Sequence, residues 1–249
     1  MSPKAPSRSP ARRKRARSSG PTTLSIDVGG SHIKGSVLDS RGRMLHERVR
    51  VDTPDDLTPS RLVKIIAELA EQLGRFDRVS VGFPGVVRHG VLRTAANLGT
   101  ERFRGFNLES ALRKKLRKPV RVENDADVQG FGAIKGKGVE MVITLGTGFG
   151  SAMFVDGELG PHLELAHHCF RKGNTYEELL GEEALDRQGD EDWNEEVERA
   201  IDSLRQLTSF DHLYIGGGNA RRLTIRLPSD VTVVSNDAGI WGGVRLWKH

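Results

Sequence analysis

The sequence contains a single cysteine among its 249 residues. No internal disulfide can form, so a small secreted fold held together by disulfides is excluded and a reducing cytoplasm is the expected location. Long apolar runs are also missing. The longest segment without a charged residue, 141–155, is shorter than the ~18–20 apolar residues of a membrane helix and is rich in Gly, Thr and Ser. We therefore expect no membrane-spanning helix.

Acidic residues are absent from positions 1–20, which carry seven Lys or Arg. The whole chain has a net charge of +5, so residues 21–249 have a net charge of −2. The basic tail has too little apolar material for a core, which predicts disorder, and it lacks the apolar centre of a secretory signal. A solvated extension is favoured, and contact with nucleic acid or another polyanion is the alternative.

Glycine is abundant, with 29 residues or about 12% against a usual ~7%. The glycines cluster between apolar runs, where a backbone often approaches a ligand closely. A strand at 23–28 stops at two glycines before a second strand at 36–38. The same pattern returns later, where a strand at 141–145 stops in a glycine loop and 151–155 runs back. These segments predict two glycine-tipped β-hairpins.

Strands and amphipathic helices alternate along the rest of the chain, which indicates an α/β fold. A strand is also expected over 44–51. Further strands are predicted at 79–83, 120–122 and 213–215, and helices at about 58–73, 108–116, 126–135, 195–207 and 236–247.

The two hairpins offer main-chain N–H groups for phosphate. The first combines a carboxylate that could hold hydrated Mg²⁺ with an ammonium group. Its residues are Asp27, Gly29, Gly30, Ser31 and Lys34. An ordinary hairpin turn is the alternative, but the second hairpin, with Gly146, Thr147 and Gly148, favours phosphate binding. The glycines at 216–218 either accept an adenosine moiety or precede a helix.

Six blocks occur in order along nearly the whole chain after the tail. They read IDVGGSHIKG at 26–35, FPGVVRHGVLRTAAN at 83–97, ENDAD at 123–127, LGTGFG at 145–150, ELAH at 164–167 and IGGGN at 215–219. Together they resemble the ROK family of sugar kinases, and within it most resemble the polyphosphate glucokinases. The resemblance implies an actin/hexokinase-like ATPase fold with two RNase H-like α/β lobes around a cleft. We assign the lobes to 21–122 and 123–249, with the last helix able to pack back on the N-terminal lobe.

The resemblance also implies roles for individual residues. It places the catalytic base at Asp125. The chemistry of the glycine loops already points to magnesium at Asp27 and to the phosphoryl donor on the two hairpins, together with Gly217 and Gly218. The sugar contacts map onto Asn97, Asn124, Asp125, Glu164 and His167. Taken singly, Asn97 also suits a turn, Asn124 and Asp125 suit a helix cap, and Glu164 and His167 suit a solvated loop pair. A helix N-terminus favours an ionised Asp125, so we expect positioning rather than a strongly shifted pKa, with Asp127 as a cap or support.

Departures from the family pattern concern metal and donor. Many members carry a cysteine-rich zinc site, but here Cys169 is alone and its neighbouring histidines are too close in sequence for tetrahedral ligation. No structural zinc is expected. Ala166 replaces a motif glycine. A polyphosphate user needs a basic track, and the run at 113–118 with Arg121 is a candidate, although a solvated helix face is favoured.

The function predicted is transfer of a phosphoryl group from polyphosphate, ATP or both to the 6-hydroxyl of glucose. A strictly ATP-dependent hexose kinase is the alternative. A sugar-responsive repressor is disfavoured because only about 20 residues precede the first strand, too few for a helix-turn-helix domain. A catalytically inactive sugar-binding module is disfavoured by the retained Asp27 and Asp125. A cytoplasmic homodimer is expected, without membrane contact and with nucleic acid at most on the tail.

Overall fold

The computed structural model describes residues 20–95, 98–235 and 238–248. Strands and helices alternate along this part of the chain. The strands are β1 (Thr23–Val28), β2 (His32–Leu38), β3 (Val49–Asp52), β4 (Arg78–Phe83), β5 (Val87–Arg88), β6 (Val91–Leu92), β7 (Val120–Asn124), β8 (Val139–Leu145), β9 (Phe149–Val155), β10 (Glu158–Leu159), β11 (Cys169–Arg171), β12 (Asn174–Thr175), β13 (His212–Gly216) and β14 (Val231–Val233).

The helices alternate with the strands along the chain. They are α1 (Pro59–Leu73), α2 (Thr100–Phe103), α3 (Leu108–Leu116), α4 (Asp125–Ala133), α5 (Tyr176–Leu180), α6 (Glu182–Gln188), α7 (Asp190–Thr208) and α8 (Ala238–Arg245). Two short 3-10 helices span Leu165–His167 and Gly218–Arg222. None of the helices in the described residues is long and apolar enough to cross a membrane.

Two five-stranded sheets have the same internal order. The first runs β3-β2-β1-β4-β7 and the second β10-β9-β8-β13-β14. In each, the first three strands pair antiparallel and the last two join in parallel. The duplicated glycine hairpin of the sequence is therefore the start of a duplicated sheet. The carboxyl ends of parallel strands share one edge, so Asp27, one residue before the end of β1, lies at the same edge as Phe83 and Asn124, the last residues of β4 and β7.

Each sheet has its own apolar core on one face. α1 covers the first sheet, with Leu62, Ile66 and Leu69 at helical spacing inside a cluster that also contains strand residues. Thr58 caps this helix by accepting a hydrogen bond from the amide of Arg61. The second sheet is covered by α5, α6 and α7, whose Trp193 is fully buried.

Helices α4 and α8 pack against each other and against both sheets. α4 contacts β4 and β7 of the first sheet and β8 and β9 of the second, while α8 lies on β1 and β4. The Ser80 hydroxyl donates to the carbonyl of Gly243 at 2.5 Å and accepts from the Trp247 indole at 2.8 Å. The C-terminal helix is thus held on the N-terminal sheet.

The crossing of α4 and α8 requires glycine at the contact. A Cβ built on Gly242 would lie 1.6 Å from the carbonyl oxygen of Val128, and one on Gly132 would lie 2.0 Å from that of Ala238. Both neighbours are backbone atoms, which cannot rotate away. The two helix backbones therefore approach more closely than any side chain at these positions permits.

Several element boundaries differ from those predicted. The strand expected at 44–51 is reduced to β3, with Met44 forming only an isolated bridge to Leu38. α4 begins at Asp125 and ends at Ala133, one and two residues earlier than expected, and α7 begins five residues before position 195. The basic tail and Asn97 lie outside the described residues.

Replacing Gly242 with alanine should destabilise the protein. The added methyl group collides with the α4 backbone, so we expect the free energy of unfolding to fall by about 2 kcal/mol or more. Urea denaturation measures the change. Gly239→Ala is the matched control, because this glycine is on the same helix with no other atom near its Cβ position. The control should gain about 0.5 kcal/mol from helix propensity. Equal stability of the two variants would contradict the packing argument.

Candidate active site

A cavity of about 310 Å³ opens at the carboxyl ends of the strands of both sheets. Most of the residues singled out in the sequence line it. These are Asp27, Gly29, Gly30, Lys34, Asn124, Asp125, Gly146, Thr147, Gly148, Glu164, His167, Gly217 and Gly218. Ser31 is exposed at the tip of the first hairpin and is not part of the lining. The structure therefore brings the predicted donor and sugar residues to one place.

Asp27 is placed by the register of the first hairpin. It lies opposite Lys34 on β2, whose ammonium nitrogen is 3.7 Å from Asp27 Oδ2. Burial raises the pKa of Asp27, against the opposing effect of Lys34 and Arg48. The side chain keeps 32% of its surface exposed.

Asp27 meets the requirements of a magnesium ligand. Mg²⁺ commonly binds one or two carboxylates together with substrate phosphates and water. A carboxylate that is costly to ionise, beside a second carboxylate and open to the cavity, fits that ion. Asp27 would hold the metal, which supplies charge neutralisation for phosphate groups when bound.

Asn124 caps α4 and also lines the cavity. Its Oδ1 accepts hydrogen bonds from the amides of Ala126 at 2.8 Å and Asp127 at 3.2 Å, and its Nδ2 donates to the carbonyl of Gly85 at 3.1 Å. Asn124 therefore serves both as the N-cap of α4 and as a lining residue of the cavity. This arrangement fixes the start of α4 and with it the position of Asp125, the first helical residue.

The acidity of Asp125 differs from the expected one. Burial, followed by the neighbouring charge of Asp27, raises its pKa to about 7. The hydrogen bond from the Ala126 amide and the helix N-terminus act in the opposite direction but are outweighed. Our expectation that the pKa of Asp125 is not strongly shifted was therefore wrong. The causes are burial in the cavity and then the nearby charge of Asp27, neither of which sequence spacing shows.

The second glycine hairpin is tightly folded. The Gly146 amide donates to the carbonyl of Gly148 at 3.1 Å, and Asn219 Nδ2 donates to the carbonyl of Gly146 at 3.2 Å. Gly217 has φ of 89°, and a Cβ there would lie 2.2 Å from the carbonyl oxygen of Leu145. The glycine run at 216–218 therefore packs directly against the hairpin of the second sheet.

His162 lines the cavity and was missed in the sequence. Its Nδ1 lies 3.1 Å from Asp127 Oδ2 and its Nε2 lies 2.8 Å from Glu164 Oε1. It belongs to none of the six blocks. Its position only two residues before Glu164 could have indicated that it lies near the proposed sugar site. Gln129 also lines the cavity, one helical turn after Asp125, and the i, i+4 spacing could have indicated it.

The basic run does not reach this cavity. Arg113, Arg117, Lys118 and Arg121 line a second cavity of about 630 Å³ together with Trp247, at the amino end of β7. The remaining lysines, at 114 and 115, lie on the exposed face of α3. This placement agrees with the favoured interpretation of a solvated helix face.

Among residues 20–95, 98–235 and 238–248, no group of three or more His, Cys, Asp and Glu is arranged to hold a metal ion. Cys169 is exposed on β11. The absence of structural zinc stays a prediction.

The ROK family model matches residues 23–178. This chain belongs to the ROK family. The resemblance drawn from the six sequence blocks is confirmed. A polyphosphate glucokinase of Mycobacterium tuberculosis (strain CDC 1551 / Oshkosh) is 33% identical over 235 residues, covering 87% of this chain and 88% of that protein.

Solved structures support the same assignment for this ROK protein. The inorganic polyphosphate/ATP-glucomannokinase of Arthrobacter sp. strain KM superposes with a TM-score of 0.83 at 31% identity, covering 92% of this chain and all of that one. A ROK glucokinase of Streptomyces griseus, solved with glucose and AMPPNP, has a TM-score of 0.72 at 20% identity, covering 90% and 98%. At that identity the likeness concerns the fold alone. The predicted actin/hexokinase-like α/β fold is confirmed.

The raised pKa of Asp125 predicts a pH-dependent cost in stability. The folded protein holds a proton on Asp125 between pH about 4 and 7 that the unfolded chain releases. The stability this proton provides is lost as the pH rises through 7. Asp125→Asn should therefore raise the free energy of unfolding at pH 8 by about 1–3 kcal/mol relative to wild type, and much less at pH 5.

Urea denaturation at the two pH values measures this difference. Asp202→Asn, on the exposed face of α7, is the control and should change neither value. An Asp125→Asn variant that is no more stable than wild type at pH 8 would contradict the assigned ionisation.

Proposed function

We propose that this ROK protein is a glucokinase that transfers a phosphoryl group from inorganic polyphosphate, ATP or both to the 6-hydroxyl of glucose. The observation that carries the proposal is the single cavity in which Asp125, at the start of α4, faces Asp27 and both glycine hairpins. Relatives named polyphosphate glucokinase and polyphosphate/ATP-glucomannokinase support the substrate class.

On the acceptor side, Asp125 is the general base. Phosphoryl transfer requires a group that orients the attacking hydroxyl and accepts its proton. A base is most effective when its pKa is near the working pH, which a value of about 7 satisfies. Asn124, Glu164 and His167 line the same cavity and, together with Asn97, are proposed to bind the sugar hydroxyls.

On the donor side, the backbone binds the phosphates. We propose that backbone N–H groups of the two hairpins and of the glycines at 216–218 bind the last two phosphates of the donor. The Lys34 ammonium group would offset the charge of these phosphates. Asp27 would hold magnesium. Ser31 remains a proposed contact of the first hairpin at its exposed tip.

A strictly ATP-dependent hexose kinase is the second candidate. The observation in its favour is that Gly217 and Gly218 line the cavity beside Gly146, where an adenosine moiety could rest. We further propose a cytoplasmic homodimer, on the family resemblance.

A donor comparison distinguishes these functions. Purified protein with Mg²⁺ and glucose should form glucose 6-phosphate with polyphosphate and with ATP, measured by a coupled dehydrogenase assay. The same assay on a chain beginning at Gly20 tests whether the basic tail recruits the polymer. An unchanged KM for polyphosphate shows that the tail is not needed for donor binding. Formation of no product with either donor would reject the glucokinase proposal.

Replacing Asp125 with asparagine should lower kcat by about 10²–10⁴-fold and leave the dissociation constant for glucose nearly unchanged. In wild type, kcat/KM should rise about tenfold per pH unit below pH 7 and level off above it, because the base must lose its proton. Initial rates between pH 5 and 9 measure the profile, and Asp202→Asn serves as the control. Turnover of the Asp125→Asn variant at the wild-type rate would remove Asp125 as the base.

A further inference from the structure

His162, on the wall of the cavity, contacts two carboxylates. One ring nitrogen hydrogen-bonds to Asp127, which is two residues after Asp125 on α4. The other hydrogen-bonds to Glu164, on the loop before the 3-10 helix at 165–167. The His162 side chain is 12% exposed, Asp127 is 3% exposed and Glu164 is 38% exposed. The chain of contacts therefore runs from the protein interior to the open cavity.

We propose that His162 is a positioning residue for sugar binding, which as a cation links Asp127 on α4 to Glu164 and so holds the Glu164 carboxylate at a fixed place relative to Asp125. This role rests on the proposed function. It concerns a residue outside the six sequence blocks.

The bond between His162 and Glu164 leaves the second carboxylate oxygen available. Oε1 of Glu164 is taken by His162, while Oε2 lies 3.9 Å from His167 Nε2, beyond hydrogen-bond distance. An ionised carboxylate only accepts hydrogen bonds, so this oxygen suits a sugar hydroxyl as its donor. The orientation of Glu164 is thus set by His162 before sugar arrives.

Electrostatics support a permanent charge on His162. Burial lowers its pKa, but the hydrogen bonds and charges of Asp127 and Glu164 outweigh this and raise it to about 10. The hydrogen bond from His162 in turn lowers the pKa of Glu164. Within the described residues, the other oxygen of Asp127, Oδ1, is buried without a hydrogen-bond partner. His162 is therefore the group that offsets the buried charge of Asp127.

The same link connects the first turn of α4 to the loop before the 3-10 helix at 165–167. Asp125 and Asp127 are on the first turn of α4, whereas Glu164 is on a loop that follows β10. A carboxylate on a loop samples several rotamers unless it is bound at one end. Through His162, the proposed base and the proposed sugar acceptor share one rigid support.

Glutamine at position 162 tests the role. His162→Gln keeps one donor but removes the charge and the second donor, so glucose affinity measured by titration calorimetry without donor should fall about 10–100-fold. KM for glucose should rise in parallel, while kcat changes less than threefold and KM for the phosphoryl donor is unchanged. His212→Gln is the matched control, because His212 bonds Thr232 on the second sheet outside the cavity. It should behave as wild type.

A double variant separates positioning from general destabilisation. In His162→Gln with Asp127→Asn, the amide at 127 donates to the glutamine oxygen, and the glutamine amide donates to Glu164. A neutral chain of hydrogen bonds replaces the charged one, so glucose affinity should recover by at least threefold over His162→Gln alone. Should His162→Gln fail to fold, Asp127→Asn alone should still raise KM for glucose and leave KM for the phosphoryl donor unchanged.

Three results would overturn the role of His162: glucose affinity of His162→Gln within twofold of wild type, no recovery in the double variant, or equal losses in kcat and both KM values. A wild-type protein that binds glucose and turns over, combined with any of these, leaves the glucokinase proposal standing. A wild-type protein that neither binds nor phosphorylates glucose rejects both.

Discussion

The contact between α4 and α8 is the constraint on which the site depends. α4 contacts both sheets and α8 lies on the first, and their backbones meet at Gly132 and Gly242, where no side chain fits. This close approach allows α4 to contact strands of both sheets at once. Because Asp125 is the first residue of α4, the same packing that joins the two halves also fixes the carboxylate at their shared edge. The fold and the position of the proposed base are therefore set by one interaction.

Carboxylates dominate the electrostatics of the cavity. Asp27, Asp125 and Asp127 all have raised pKa values with burial as the main cause, and the charges of Asp27 and Asp127 add to the shift at Asp125. Lys34 and His162 each offset part of this charge. Such an arrangement costs stability in the absence of ligands. It also leaves Asp27 suited to a cation and Asp125 to a proton, which are the two species that a phosphoryl transfer must accommodate.

The sequence predicted the features that local patterns carry. In both hairpins a strand is followed by glycines, which start at Gly29 and at Gly146, and a strand–turn–strand pattern of this kind is visible in the sequence. The six ordered blocks identified the family. The sequence could not predict His162 as a link, because the partners Asp127 and Glu164 are far apart in sequence and meet only in the folded chain. The glycines of α4 and α8 were likewise assigned to no contact, since helix crossings are not encoded at fixed spacing. The pKa of Asp125 depends on burial, which spacing alone does not give.

The location of the basic run, away from Asp125, restricts which residues can bind a polymeric phosphate donor in the cavity. Arg117 and Lys118 lie beyond Val120, the first residue of β7, whereas Asp125 follows its last residue. A strand rises about 3.3 Å per residue, so the two ends of β7 are about 13 Å apart. The proposed donor contacts in the cavity are backbone N–H groups and Lys34, which recognise phosphates rather than what is attached to them. A site built this way reads only the terminal phosphates of a chain. ATP and polyphosphate present the same groups there, so the proposed donor site fits either donor equally well.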